Sequence, residues 1–198
     1  MIRAGTVSEI APSSGEWLVL DIGFANESSS CGLLINGGHP VELRFSEAKE
    51  KICGFISTSA APVNLLIEAP LSVAFDRKGN PKGRAIEKRD GKTRYWYVGL
   101  GCTVMVATFY LLEAIVAGRP SSDVRLFEGF VSFKIKGVKS NHARDVELLW
   151  EVVRDRTAYP GAIVEANALK MTESDTLQSA FLVAGINAGI PPIIMRNT

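Results

Sequence analysis

The chain lacks any apolar run near the roughly 18 residues that a bilayer-spanning helix needs, and its first residues lack the basic-then-apolar order of a secretory leader. No membrane partner is expected, and the expected setting is cytoplasmic. Cysteine is scarce: Cys31, Cys53 and Cys102 are odd in number, widely spaced and without a CxxC pair, and only His39 and His142 are there to join them. That speaks against a disulfide framework or a zinc site and for buried free thiols. Internal repeats, low-complexity stretches and linkers are also missing. What is there, 198 residues with 46% hydrophobic and 22% charged, is the make-up of one packed domain spanning 1–198.

The near-neutral net charge of +1 hides an uneven distribution. Between Arg77 and Arg94, eight cations (Arg77, Lys78, Lys82, Arg84, Lys88, Arg89, Lys92, Arg94) face only Glu87 and Asp90, so the rest of the chain is net acidic. Polyanions can bind such a segment. Its tail, Tyr95-Trp96-Tyr97, adds aromatic rings on which unpaired bases can stack. The alternative is a solvated hairpin whose aromatics begin the next buried element.

Glu16 to Phe24 reads as a buried strand and Cys31 to Ile35 as a second. Asn36-Gly37-Gly38 then turns the chain into Val41 to Phe45, because these residues tolerate positive φ. Ser46 can cap a helix running to about Ser57. Val63 to Ala69 is short, almost wholly apolar and stopped by Pro70, as a strand covered on both faces should be. Gly101 to Gly118 reads as a helix packed on the sheet, Asp123 to Phe133 as another strand, and the segment from Asn141 as a helix capped by Ser140 or Asn141. Asp175 to Ala188 places Leu177, Phe181, Ala184 and Ala188 at helical spacing, which predicts a last helix. Three antiparallel strands, then alternating helices and strands, define an α/β protein with a mixed central sheet flanked by helices, an order that resembles the RNase H-like fold.

Asp21 is the only charge between Trp17 and Ala25, and Glu68 repeats that situation in Leu65 to Pro70. Two acids in adjacent buried strands repel unless a cation lies between them or one stays protonated. Oxygen ligands favour Mg2+ or Mn2+. Asp175, heading the expected last helix, is the natural third ligand, and Glu128, which interrupts its own strand, a fourth. Each has a plainer reading: Asp21 caps a turn, Glu68 forms an ion pair, Asp175 is an ordinary first-turn acid, and Glu128 points outward from a sheet edge. Lys139 and His142 flank a helix start, where an anion such as phosphate can bind; exposed cap neighbours are the alternative.

The segments Asp21-Ile22-Gly23, Ile67-Glu68-Ala69-Pro70, Glu128-Gly129-Phe130-Val131-Ser132-Phe133 and Ser174-Asp175-Thr176-Leu177 resemble family 429 of domains of unknown function, regarded as RNase H-like nucleases, and more distantly the Holliday-junction resolvase RuvC. The resemblance spans roughly Trp17 to Gly189. It implies metal-dependent hydrolysis of phosphodiester bonds in DNA or RNA, with Asp21, Glu68 and Asp175 as catalytic ligands of Mg2+ or Mn2+ and Glu128 or Glu173 assisting. Asp21 would bridge two cations about 4 Å apart. Lys82, Arg84, Lys88, Arg89, Lys92, Arg94, Trp96, Lys139 and His142 would hold the nucleic acid. The chain departs from the family where Phe130-Val131 follows Glu128-Gly129 in place of a Glu-x-His-Pro motif, and where Gln178 stands for a second helix acid. Two other readings share the fold class: an actin-like ATPase domain using Asp21-Ile22-Gly23 and Ser28-Ser29-Ser30 as a phosphate loop, and a non-catalytic binding or assembly module, in which apolar residues of Gly101 to Gly118 and near the C-terminus form a homodimer interface.

Overall fold

The computed structural model describes residues 1–23, 30–89, 92–93, 100–132 and 141–197. In chain order the strands and helices are β1 (Ile2–Ala4), β2 (Glu16–Ile22), β3 (Cys31–Ile35), β4 (Val41–Leu43), α1 (Phe45–Thr58), β5 (Val63–Glu68), β6 (Ser72–Phe75), β7 (Pro81–Lys82), β8 (Lys88–Arg89), β9 (Lys92–Thr93), α2 (Leu100–Ala117), β10 (Val124–Ser132), α3 (His142–Arg154), β11 (Ile163–Val164), β12 (Thr176–Ser179) and β13 (Ile193–Asn197). The protein is therefore α/β with a mixed central sheet. Its strands run β11-β13-β10-β5-β2-β3-β4, and β1 lies against β10. β2, β3 and β4 pair antiparallel, whereas β5 is parallel to β2, and β10 is parallel to β5, β13 and β1.

The two inner strands read as apolar runs because both of their faces are covered. Side chains alternate across a strand, so Leu18, Leu20 and Ile22 of β2, with Leu65 and Ile67 of β5 and Leu126 of β10, pack with Ile52 and Ile56 of α1 and Leu111, Leu112 and Ile115 of α2. Trp17 and Val19, with Leu66, Phe127 and Val131, face the other way and meet Val146, Leu149, Val152 and Val153 of α3. Each such fully buried aliphatic side chain contributes roughly 1.5–3 kcal/mol. The Trp17 ring anchors the second face, 5.1 Å from Phe127 and 6.2 Å from Trp150, with its Nε1 donating to the Ala11 carbonyl at 2.9 Å.

The Asn36-Gly37 turn forms as expected, with both residues at positive φ (50° and 71°) and Gly38 N–H donating to Ile35 at 2.9 Å. α1 starts one residue before Ser46, after Arg44, whose N–H donates to Glu47 at 2.9 Å. The expected helix over Asp175 to Ala188 is not formed. Thr176–Ser179 instead pairs antiparallel with β6, joining β7 in a three-stranded side sheet, and only Leu182–Ala184 makes a short 3-10 turn that Gly185 ends at φ 73°. β13, also unforeseen, follows the two prolines. Among the described residues β8 and β9 pair only with each other. Among the described residues no helix is long and apolar enough to cross a membrane.

Candidate functional site

Alternation along β2 sets Asp21 on the α3 face, two residues beyond Val19, and it is 4% exposed. Its register partner on β5 is Glu68, which follows Leu66 onto the same face and is 3% exposed. The pairing of Asp21 with Glu68 on adjacent parallel strands is thus a consequence of register. One Glu68 oxygen, Oε1, accepts the Val131 N–H at 3.2 Å.

The third contribution comes from α3. Asn141 caps the helix, its side chain accepting the Arg144 N–H at 2.9 Å, and His142 is the first helical residue. His142 Nδ1 lies 2.6 Å from Asp21 Oδ2. An ionised carboxylate only accepts, so Nδ1 donates wherever Asp21 is charged. Asp145, one turn on and therefore on the same side of the helix, is also buried. Ligating atoms of Asp21, His142 and Asp145 all lie within 4.8 Å of one another.

Two glycines permit this approach. Gly32 is the register partner of Asp21 on β3, and a Cβ there would stand 2.1 Å from the His142 carbonyl oxygen. A Cβ on Gly23 would stand 2.2 Å from the His142 imidazole Cε1. The start of α3 therefore rests on bare backbone, which lets its first turn reach the carboxylates. Cys31, next to Gly32, adds no ligand: burial pushes its thiol up to about 11, so it stays protonated at neutral pH.

Asp175 does not join this group. It sits in the turn before β12, where both of its oxygens bond Lys82 Nζ at 2.9 Å, and Thr172 Oγ1 donates at 2.7 Å. The Thr172 hydroxyl and the Lys82 ammonium hold its carboxyl well below the usual range. The expectation that it heads a helix is not met, and its turn commits it to Lys82 and Thr172 rather than to the group around Asp21. Lys82 is likewise committed to Asp175.

Glu128 is neither outward-pointing nor a ligand beside Asp21. It follows Leu126 onto the face of β10 that packs against α1 and α2, opposite to Asp21 and Glu68. There it is 0% exposed and grips Arg84 through both guanidinium nitrogens, Nη1 to Oε2 at 2.9 Å and Nη2 to Oε1 at 2.8 Å, while Oε2 also accepts the Leu71 N–H at 2.8 Å. Arg84 Nε donates to Glu87 at 2.9 Å and Nη1 to Ser72 Oγ at 2.9 Å. Burial pulls the guanidinium down, but Glu128 and Glu87 outweigh it and keep Arg84 charged. Arg84 is therefore internal and not a surface contact for nucleic acid.

Of the other expected nucleic-acid residues, Lys88, Arg89 and Lys92 lie on β8 and β9, while Arg94, Trp96 and Lys139 lie outside the described residues, as does most of the Ser28-Ser29-Ser30 loop. Asp145 escapes a reading of the sequence because it resembles an ordinary first-turn acid. The available signal is the His142-x-x-Asp145 spacing, which puts an imidazole and a carboxylate on one side of a helix start. Comparison of the chain with family models, curated proteins and solved structures finds no match in any of the three.

Proposed function

We propose that the chain is a metal-dependent nuclease of the RNase H-like class, with Asp21, Glu68, His142 and Asp145 as its ligands for Mg2+ or Mn2+. The observation that carries this reading is the gathering of Asp21, His142 and Asp145 within 4.8 Å on buried backbone, beside the register partner Glu68. Three antiparallel strands followed by parallel β5 and β10, with the acids at the C-terminal ends of the two inner strands, support the same reading.

The donor set fits the group. Three carboxylates and one imidazole suit a hard divalent cation better than a thiolate-seeking one. Bound there, such a cation would activate water and neutralise the developing charge of an in-line phosphoryl displacement. The chain's own residues do the rest. The Val131 N–H orients Glu68, α3 fixes His142 and Asp145 on one side, and His142 Nδ1, donating to Asp21 Oδ2 when that carboxyl is ionised, orients it.

Calorimetric titration with Mn2+ and cleavage assays on single- and double-stranded DNA and RNA test the proposal. The parent is expected to bind Mn2+ and to cut one of these substrates, and Asp21→Asn and Asp145→Asn to lose both properties. Cleavage that persists in Asp21→Asn removes that residue from the mechanism. Mn2+ binding without cleavage would favour the non-catalytic module.

A further inference from the structure

A second group of buried charges lies on the face of the sheet opposite Asp21. Arg84, Glu87 and Glu128 are all 0% exposed. Glu128 grips the Arg84 guanidinium at 2.8 and 2.9 Å, while Glu87 and Ser72 each accept a further guanidinium N–H at 2.9 Å. Apolar residues of similar size often match or better such a cluster in stability. Stability alone is therefore a poor reason for it.

The backbone beside the candidate centre leans on this cluster. β5 ends at Glu68: its pairing with β10 stops at Ile67, and its pairing with β2 stops at the Asp21 and Glu68 register. The chain that follows gains little from its own neighbours. Ala69 N–H donates back to Ile67 at 2.8 Å, and Pro70 has no N–H to give. The first backbone donor after Glu68 to reach another element is Leu71, whose N–H meets Glu128 Oε2 at 2.8 Å. Beyond it the chain leaves for the side sheet, with Ser72 opposite Ser179.

Strand β10 thus holds Glu68 from two sides. On the α3 face the Val131 N–H donates to the Glu68 side chain at 3.2 Å, and on the other face Glu128, three residues earlier in β10, fixes the main chain that follows Glu68. A carboxylate serves as a fixed acceptor only if it cannot swing. The two-pronged pair with Arg84 prevents that, because such a pair sets orientation as well as attraction. Glu128 Oε2 accepts both the Leu71 N–H and Arg84 Nη1, so the guanidinium and the β5 exit are joined at one oxygen. Metal ligands have to be held to within about 0.5 Å of their working geometry, and the exit of β5 is where Glu68 would otherwise loosen.

We propose that Glu128, locked by Arg84, is a positioning residue for Glu68, and that the pair sets the affinity of the Asp21 centre for a divalent cation without touching the ion. The role rests on the metal-centre reading above; the geometry of the tie rests on the hydrogen bonds of Leu71, Glu128 and Arg84 alone.

The test is Mn2+ calorimetry together with amide hydrogen exchange over residues 65–72, on variants shown to be folded by circular dichroism. Arg84→Met with Glu87→Gln and Glu128→Met replaces the cluster by uncharged groups of similar size; it is expected to bind Mn2+ about 10- to 100-fold more weakly, the usual loss for a group that supports a ligand, and to exchange faster over 65–72. The same background carrying Glu128→Gln in place of Glu128→Met returns an acceptor to the Leu71 N–H and is expected to recover most of that loss. Arg84→Lys keeps the charge but drops the fork, is expected to shift affinity and exchange in the same direction, and decides the matter if the triple variants do not fold. Asp175→Asn, which cuts a buried tie elsewhere in the side sheet, is expected to leave Mn2+ affinity parental. Parental affinity in the folded Glu128→Met triple variant, or equal losses in the two triple variants, would overturn the positioning role and leave the metal centre standing. So would parental affinity in Arg84→Lys should neither triple variant fold, or a loss in Asp175→Asn as large as in the Glu128→Met triple variant. A parent that binds no Mn2+ would overturn the centre and this role together.

Discussion

Asp21 and Asp175 are equally hidden, at 4% and 2% exposure, yet they belong to opposite kinds of site. Asp175 is clasped by a lysine, a threonine and two backbone N–H groups of its own neighbourhood. Asp21 is met by an imidazole and has further acids for neighbours, Glu68 across the register and Asp145 one helical turn beyond His142. Glu68 and Glu128 lie on opposite faces of the sheet, Glu68 accepting the Val131 N–H and Glu128 holding Arg84. A buried acid by itself says little about ligation. Asp175 closes a turn of its own neighbourhood, whereas Asp21 lies within ligating distance of a second acid and an imidazole.

The largest effect that can break this comparison is on catalysis. Loss even of groups that merely support a ligand costs about 10- to 100-fold, so Asp21→Asn is expected to reduce cleavage by more than about 100-fold. Asp175→Asn, compared at a temperature where both proteins are folded, is expected to stay within about 3-fold of the parent, because it only weakens a structural turn. Equal losses in the two variants would erase the distinction.

Stability should show the opposite order. Glu128→Ala leaves Arg84 charged and buried without its bidentate partner, and a loss of about 3–5 kcal/mol is expected in urea unfolding. Asp21→Asn keeps the shape of the side chain and an acceptor for His142 Nδ1, so without metal it should lie within about 1 kcal/mol of the parent. A third variant, Gly32→Ala, sharpens the picture by moving α3 without touching any acid. Its Cβ would collide with the His142 carbonyl, and a cost of about 1–3 kcal/mol is expected, together with weaker Mn2+ binding by calorimetry.

The smallest effect is a pH dependence far from either site. The Arg3 guanidinium, opposed by burial, lowers Glu9 from 4.5 to about 2. The depressed value means that its contribution is complete above the ordinary carboxylate range and fades as pH falls from about 4.5 toward 2. Glu9→Gln is therefore expected to cost about 1 kcal/mol at pH 7, and the cost to shrink as pH falls below the ordinary carboxylate range and through 2. A difference that persists in acid would show that the pair acts through packing.

Much of the fold was legible because its inner strands are apolar on both faces and its turns carry their own chemistry, as at Asn36-Gly37. The Asp21 and Glu68 pair was legible for the same reason, since each acid interrupts such a strand. The side sheet was not. Leu177, Phe181, Ala184 and Ala188 keep helical spacing, but the pairing of Thr176–Ser179 with β6 and the positive φ of Gly185 and Gly189 override it. That one override sets Asp175 apart from the group around Asp21, whereas Asp145 was hidden by its likeness to an ordinary first-turn acid on a helix that is plain in the sequence. Arg84 is misplaced for a related reason: a cation counted as surface charge finds its partners only when β10 is laid beside β5.

β10 carries a further consequence. β5 occupies one of its edges, and on the other β1 pairs with residues 124–126 and β13 with residues 128–132, both running the same way. A single row of the sheet is thus composed of segments nearly the whole chain apart. During synthesis, the half of that edge beside Glu128 must wait until residues 193–197 leave the ribosome, and meanwhile it offers unpaired backbone groups to any passing strand. Folding should accordingly be slow for a chain of this length, with closure of that row among its late events.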